Sequence, residues 1–427
     1  MDLLRAVKGM DDLYETDLVL WRYIESVARE TFLAYGFGEI RTPILEDSAL
    51  FVRAVGAATD VVAKEMFSFE DKGGRDHSGK AVCLRPENTA GVVRALLEAG
   101  KLAADSFQQV FYVGPMFRRE QPQAGRRRQF HQIGCEAFGY AEPAMDIAVI
   151  AAIQTVLQRL GLASATKLSI NTLGDAEERV KYTAALTQYL AQHQDQLSED
   201  SKRRLLHNPL RILDSKDARD QQIVVAGPKP MEFLSAAARA HFDEVTAGLN
   251  RLGIPFVVDP MLVRGLDYYT RTVFEFIGAA GLGAQSTVCA GGRYDGLVES
   301  LGGRSTPAVG FAGGIERLVL MVKALGAAPA LEGPELFLVS ADESGRSECE
   351  RLAFELRHRG IRVLVDVRGR PERAQRKSAD KSGARFSALI AASDIAGRTV
   401  TVKTMATGDV CEVALDATSL ALVVRRF

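Results

Sequence analysis

The residues best suited to chemistry lie between positions 116 and 138, where arginines stand beside glutamate and glutamine. The stretch reads Met116-Phe-Arg-Arg-Glu120, then Gln121-Pro-Gln-Ala-Gly125, then Arg126-Arg-Arg-Gln-Phe-His-Gln-Ile-Gly-Cys-Glu-Ala-Phe138. A strand at 110–113 is expected to lead in, and Pro122 and Gly125 mark a loop before a second strand. Alternation puts Ile133, Cys135 and Ala137 on one face and Arg128, Phe130, Gln132, Gly134 and Glu136 on the other. Gly134 has no side chain, so Gln132 and Glu136 are expected to flank a gap fit for a small polar ligand. Arg118 and Arg119 should overhang that face. His131 falls on the opposite face and reads as a packed histidine. The competing account is a hairpin with a solvated basic loop. Acid and amide groups placed opposite the apolar residues weigh against it.

Four other stretches carry candidate groups. Leu84-Arg-Pro-Glu-Asn-Thr-Ala90 is extended, because Pro86 pushes Arg85 out of helical conformation. Arg85 and Glu87 then share a face, where a buried ion pair is the structural alternative. Thr89 is expected to cap the helix that carries Val92, Val93, Leu96 and Leu97. Residues 262–276 have strand character, with Arg264 before a permissive Gly265 and with Asp267, Tyr268 and Tyr269 following. Cys289-Ala-Gly-Gly-Arg-Tyr-Asp-Gly296 repeats this mixture, and a hairpin turn explains it about as well. Gly310-Phe-Ala-Gly-Gly-Ile-Glu-Arg317 ends a strand and opens a helix. Arg317 is then the wrong charge for a helix N-terminus. A bound phosphate or adenine would explain it, as would pairing with Glu316 or another carboxylate.

The totals bound what surrounds these groups. The 427 residues suggest two or three domains, and 47% hydrophobic with 25% charged residues is ordinary globular composition. A net charge of -1 argues against a general nucleic-acid coat, so RNA contact would need local basic patches. Five scattered cysteines without a Cys-x-x-Cys pair fit a reducing cytoplasm rather than a disulfide frame or zinc site. Residues 1–12 are charged and do not read as a signal peptide, and no apolar run suits a membrane span.

Helical spacing links Leu20, Ile24, Val27, Ala28, Phe32 and Tyr35, with Gly36 as a C-cap and Trp21 as packing. Residues 40–46 are extended around Pro43. A helix is expected at 145–160 and a strand at 168–174. A polar helical insertion should follow at about 175–255. A linker at 326–334 should separate a first domain, 1–325, from a small α/β domain, 335–427. Strands there are expected at 336–340, 361–365, 386–391, 399–404 and 410–415. In that domain Arg368, Arg370, Arg373, Arg376, Lys377, Lys381 and Arg385 face only Glu372 and Asp380. They form a candidate phosphate-binding face, against the alternative of a solvated helix.

In this order the motifs resemble class II aminoacyl-tRNA synthetases, and within them the histidyl-tRNA synthetase family. Residues 40–46, Phe117-Arg-Arg-Glu120 with its loop, and Gly310 to Arg317 are similar to the three class-wide motifs. Leu84-Arg-Pro-Glu87, Arg128-Gln-Phe-His-Gln132, Arg264-Gly-Leu-Asp-Tyr-Tyr269 and Ala290-Gly-Gly-Arg-Tyr-Asp295 are the more specific pieces. Gln121, Ala63 and Asn88 depart from common family residues; Gln121 bears on contacts with the tRNA acceptor end and not on the amino-acid pocket.

The resemblance covers essentially the whole chain. It implies an α+β fold, with an antiparallel sheet flanked by helices, the helical insertion and a separate anticodon-binding-type α/β domain, in a cytoplasmic homodimer. It implies histidine, ATP and histidine tRNA as substrates, with Mg²⁺ bridging phosphates and no protein metal site. Catalytic roles then fall to Arg118 and Arg264. ATP binding falls to these two with Glu120 and Arg317. Histidine binding falls to Glu87, Thr89, Gln132, Glu136, Tyr268, Tyr269 and Tyr294, and tRNA binding to Gln123, Arg126, Arg128, Arg373 and Arg376. The alternative is a non-catalytic paralogue that serves as a regulatory subunit in histidine biosynthesis. Such paralogues typically lack the C-terminal domain and catalytic arginines, whereas Arg118, Arg264 and Arg317 are all present here.

Overall fold

The computed structural model describes residues 3–56, 59–70, 81–266, 268–279, 282, 286–329 and 333–426. Asp267 and the linker positions 330–332 lie outside the described residues. The chain divides into two compact units, Met1–Pro329 and Ala330–Phe427.

The first unit is built on an eight-stranded sheet. Its strands in chain order are β1 (Gly38–Glu39), β5 (Gln108–Phe117), β6 (Gln129–Phe138), β7 (Thr166–Thr172), β8 (Phe256–Val258), β9 (Thr270–Gly278), β10 (Thr287–Arg293) and β11 (Ala308–Gly314). The strands β2 (Leu45–Asp47), β3 (Phe67–Glu70) and β4 (Ala81–Leu84) form a small separate antiparallel sheet. The large sheet runs β1-β5-β6-β11-β10-β9-β7-β8 and is antiparallel except at its two edge pairs.

Period-2 alternation divides this sheet into a core face and a site face. Phe111, Ile133, Cys135, Ala137, Phe274 and Phe276 point to one side. There they pack against the helices Glu15–Ala34, Pro143–Arg159 and Ile315–Ala324. The first of these helices buries Leu20, Trp21, Ile24, Val27, Ala28 and Phe32 at the spacing read from sequence. It ends at Gly36, whose φ of +85° suits glycine. Tyr112, Met116, Phe138, Tyr269 and Tyr294 point to the other side, into a second core shared with the helical insertion. His131 leaves the site face as expected. Its ring meets Trp21 edge-on at 4.8 Å, and its Nδ1 lies 3.2 Å from Glu316.

Several sequence expectations shift. The strand expected at 110–113 extends over all of β5. Residues 262–266 and 268–269 lie outside any strand, and strand structure begins only at Thr270. The Gly-Gly-Arg run that resembled a hairpin turn lies within β10, paired on both sides.

The second unit has its own core and a five-stranded sheet. Its strands are β12 (Leu336–Ser340), β13 (Val363–Val365), β14 (Phe386–Ile390), β15 (Thr399–Thr404) and β16 (Val410–Ala414), in the order β13-β12-β14-β15-β16. Its first three strands run parallel, as helical crossovers require. The helices Ala392–Gly397 and Ala417–Arg426 were not anticipated. The basic face is also smaller than its residue count suggests. Asp366 pairs with Arg370, Glu372 with Arg376 at 2.6 Å and Glu335 with Arg385 at 3.7 Å. No acidic partner is found among the described residues for Arg368, Arg373, Lys377 or Lys381.

Candidate active site

Register across β5, β6 and β11 builds one end of the site. Glu136 on β6 stands opposite Gly310 on β11. A Cβ at Gly310 would come within 1.8 Å of a Glu136 carboxylate oxygen, so only glycine leaves room for the acid. Gly134 stands opposite Tyr112 on β5, and a Cβ there would meet the Tyr112 phenol at 2.5 Å. This corrects one expectation. The space beside Gly134 is filled by Tyr112 and is not a ligand gap.

Glu136 is fully buried. It accepts hydrogen bonds from the Thr89 hydroxyl at 2.7 Å, from the Tyr112 hydroxyl at 3.3 Å and from the Tyr294 hydroxyl. Burial pushes its carboxyl up to about 8 against those lowering hydrogen bonds, with Glu87 nearby adding to the rise. Tyr268 and Tyr269 close the same end, their ring centroids 5.4 and 6.3 Å from that of Tyr294.

The helix Thr89–Glu98 brings two more groups, in altered roles. Its free N–H groups at Thr89 and Ala90 donate to the Glu87 carboxylate at 2.7 and 3.0 Å. Glu87, rather than Thr89, therefore caps the helix, which frees the Thr89 hydroxyl for Glu136. The Arg85–Glu87 pair does not form. Arg85 instead binds the Pro115 carbonyl, the Thr42 carbonyl and hydroxyl, and Asn88. It ties β5 to the first-motif segment around Pro43. Gln132 lines the pocket, and its carbonyl oxygen is buried without a protein partner. A buried acceptor left open in this way calls for a ligand donor.

Three arginines line the same pocket. Arg118 donates to the Pro86 carbonyl at 2.9 Å and lies 5.3 Å from the centroid of Phe130. Arg264 forms a close ion pair with Glu275 and stacks 5.9 Å from Tyr269. Arg317 donates to the Gly125 carbonyl at 3.1 Å and to the Thr287 carbonyl. Its anticipated partner Glu316 is engaged by His131 instead. Burial, and then the charge of Arg126, lower the Arg317 guanidinium's pKa. Positive charge is thus concentrated where an anion would relieve it.

Glu120 pairs with Arg126 at 2.5 Å, and Gln123 bridges Arg126 through two backbone bonds that shape the loop. Arg126 lines the pocket, whereas Arg128 braces the loop by donating to the Glu120 carbonyl at 3.3 Å. Arg119 turns away over Phe67.

Tyr112 and Glu275 were missed from sequence. Glu275 had a signal: it is the one charged residue in the apolar run Val273-Phe-Glu-Phe-Ile277. For Tyr112 the information is the β5–β6 register, which spacing does not supply.

A family model described as Histidyl-tRNA synthetase matches residues 9–318, and one described as Anticodon binding domain matches residues 335–423. The chain is 48% identical over 412 residues to the histidine–tRNA ligase of Anaeromyxobacter dehalogenans, covering 96% of this chain and 97% of that one. It is 46% identical over 406 residues to the histidine–tRNA ligase of Thermosynechococcus vestitus, covering 95% and 93%. The apo structure of S. aureus histidyl-tRNA synthetase superposes with a TM-score of 0.81 at 34% identity, covering 100% of both chains.

Proposed function

This chain belongs to the histidyl-tRNA synthetase family, and we propose that the pocket on its large sheet is where histidine is activated. The activity is the ATP-dependent attachment of histidine to its tRNA. One observation carries the site assignment. A buried Glu136 under three hydroxyl donors shares a single pocket with Arg118, Arg264 and Arg317.

Neutral imidazole has one N–H donor and one acceptor nitrogen. Glu136 takes the donor and the Tyr269 hydroxyl serves the acceptor, with Tyr268 and Tyr294 enclosing the ring. Amino acids without both functions would leave these groups buried and unpaired, which is a heavy penalty. Glu87, Thr89 and the open carbonyl of Gln132 receive the α-ammonium. The α-carboxylate then faces the arginines. Its oxygen attacks the α-phosphorus of ATP, the bond to the β-phosphate breaks, and pyrophosphate leaves. Arg118 and Arg264 flank the phosphorus, where charge gathers in the in-line transition state. Arg317 holds the far phosphates and adenine, and Glu120 positions the nucleotide. In the second step a hydroxyl of the tRNA's terminal adenosine attacks the acyl carbon and releases AMP.

Among the described residues no three His, Cys, Asp or Glu side chains gather as metal ligands. The carboxylates at the phosphate end are engaged by arginines, Glu120 by Arg126 and Glu275 by Arg264. With those acids engaged, a Mg²⁺ ion would be held chiefly by the nucleotide's own phosphates. When bound, the ion would neutralise charge on the leaving pyrophosphate.

Gln123, Arg126 and Arg128 on the loop, and Arg373 and Arg376 in the second unit, are assigned to tRNA. Exposed apolar side chains at Ile44, Leu45, Val52 and Phe69, on and beside the small sheet, support a homodimer built around the Pro43 segment. Five free cysteines fit a reducing cytoplasm, and among the described residues no helix is long and apolar enough to cross a membrane. The retained arginines, and a second unit matched by the anticodon-binding model, favour the ligase over a regulatory paralogue.

ATP–pyrophosphate exchange tests the pocket. Exchange that depends on histidine, and that no other amino acid supports, is expected. Exchange indifferent to histidine would refute the assignment.

A further inference from the structure

A chain of charged side chains behind the pocket, buried at one end and partly exposed at the other, has no part in the chemistry above, yet two of its members adjoin pocket tyrosines. Asp175 precedes the insertion's first helix, Ala176–Gln192, and binds Arg271 through two bonds of 2.6 and 3.0 Å. Arg271 also lies 3.3 Å from Nδ1 of His241, on the insertion's last helix, Ala236–Arg251. Nε2 of His241 lies 3.5 Å from a carboxylate oxygen of Asp146 and makes no hydrogen bond in the structure. Asp146 in turn forms a fully buried ion pair with Arg293, whose guanidinium also reaches Asp295 at 3.2 Å.

The chemistry of the two side chains fixes the histidine's state. Arginine only donates, so Nδ1 of His241 must accept. The proton of the neutral ring therefore sits on Nε2, the nitrogen on the Asp146 side. An imidazole in this tautomer accepts on the Arg271 side and offers a donor on the Asp146 side, and it lies between two ion pairs that would otherwise be separate.

Two members of the chain adjoin pocket residues. Arg271 follows Tyr269 by two positions and holds a φ of +44°, rare for a side-chain-bearing residue. Three further bonds fix that turn, two from the segment that leads into the insertion and one from the insertion itself. The Arg271 N–H donates to the Gly174 carbonyl at 2.7 Å, the Leu173 N–H donates to the Arg271 carbonyl at 2.8 Å, and Arg179 donates to the Tyr269 carbonyl at 3.1 Å. Arg293 immediately precedes Tyr294, whose hydroxyl binds Glu136.

We propose that His241 is a positioning residue that locks the helical insertion to the histidine pocket, setting Tyr269 and Tyr294 together through the Asp175–Arg271–His241–Asp146–Arg293 chain. This rests on the pocket reading above. A side chain that only fills space at His241 cannot both accept from Arg271 and offer a donor to Asp146. An amide can do both.

The test compares His241→Leu with His241→Gln in histidine-dependent pyrophosphate exchange. His241→Leu should raise the KM for histidine by about tenfold and leave the KM for ATP within twofold, because a small displacement of positioned groups acts on the ligand they hold. His241→Gln should recover histidine affinity to within about threefold of wild type, which packing alone would not produce. Asp175→Asn, at the partly exposed end, keeps the comparison available if the leucine variant does not fold. It should raise the histidine KM by about threefold and again spare ATP. Unchanged constants in His241→Leu, or equal losses for both substrates in the leucine and glutamine variants, would overturn the proposal while the pocket reading stands. A wild type whose exchange ignores histidine would overturn both.

Discussion

Arg264→Ala should slow single-turnover adenylation by on the order of a hundredfold while histidine still binds, since the guanidinium acts mainly where charge develops. The Arg264–Glu275 pair adds a consequence that the sequence did not show. Removing the arginine strands a largely buried carboxylate, so the variant should also lose about 3 kcal/mol of stability. The double variant Arg264→Ala, Glu275→Gln should regain most of that stability and none of the rate. Near-normal adenylation in the stable double variant would remove Arg264 from the mechanism. Glu136 makes a different prediction. Its carboxyl titrates near 8 in the fold and near 4.3 when unfolded. Between those values the native state holds the extra proton, so Glu136 costs the fold progressively more stability as pH rises through this window. An imidazole N–H donated to Glu136 favours the carboxylate, so histidine binding at pH 7 should expel a proton. Calorimetry in buffers of differing ionisation enthalpy should read that release in the wild type and lose it in Glu136→Gln. The same variant should raise the KM for histidine far more than that for ATP. Equal changes for both substrates would point instead to a damaged strand.

The elements that carry these residues were partly legible from spacing alone. Alternation along β6 separated Ile133, Cys135 and Ala137 from Gln132 and Glu136, because a period of two leaves no other assignment once one face is apolar. The helix from Glu15 was equally plain, and so was the strand-to-helix passage at Gly314 and Ile315. What spacing could not supply were partners distant in the chain. Asp146 meets Arg293 across 147 positions, Glu316 meets His131 across 185, and Tyr112 fills the room beside Gly134 only because β5 and β6 pair in one register. Roles within a short motif were also open. Whether Glu87 or Thr89 caps the following helix depends on which side chain Glu136 draws away. In the second unit, counting residues over 368–385 overstated the charge of that face, because Asp366 and Glu335 pair with Arg370 and Arg385. The double variant Arg373→Ala, Arg376→Ala should still weaken tRNA binding and flatten its salt dependence, with pyrophosphate exchange unchanged. Arg373 should carry more of the effect, since Arg376 is shared with Glu372. Unchanged affinity and salt slope would rule out this face as the RNA contact.

At the scale of the whole chain, adenylation and tRNA recognition should be separable. Every pocket residue lies in Met1–Pro329, and each unit has its own buried core. A fragment ending at Pro329 should therefore fold, make histidyl-adenylate and lose most transfer to tRNA; a fragment that folds but cannot form adenylate would show that the second unit completes the pocket. The most direct measurement of the central claim is charging of histidine tRNA by the purified full-length protein, followed with labelled histidine. Acid-stable, tRNA-bound histidine should accumulate only when ATP is present, and no other amino acid should replace it. A folded protein that forms no charged tRNA under these conditions, or that charges the tRNA equally well with another amino acid, would contradict the account.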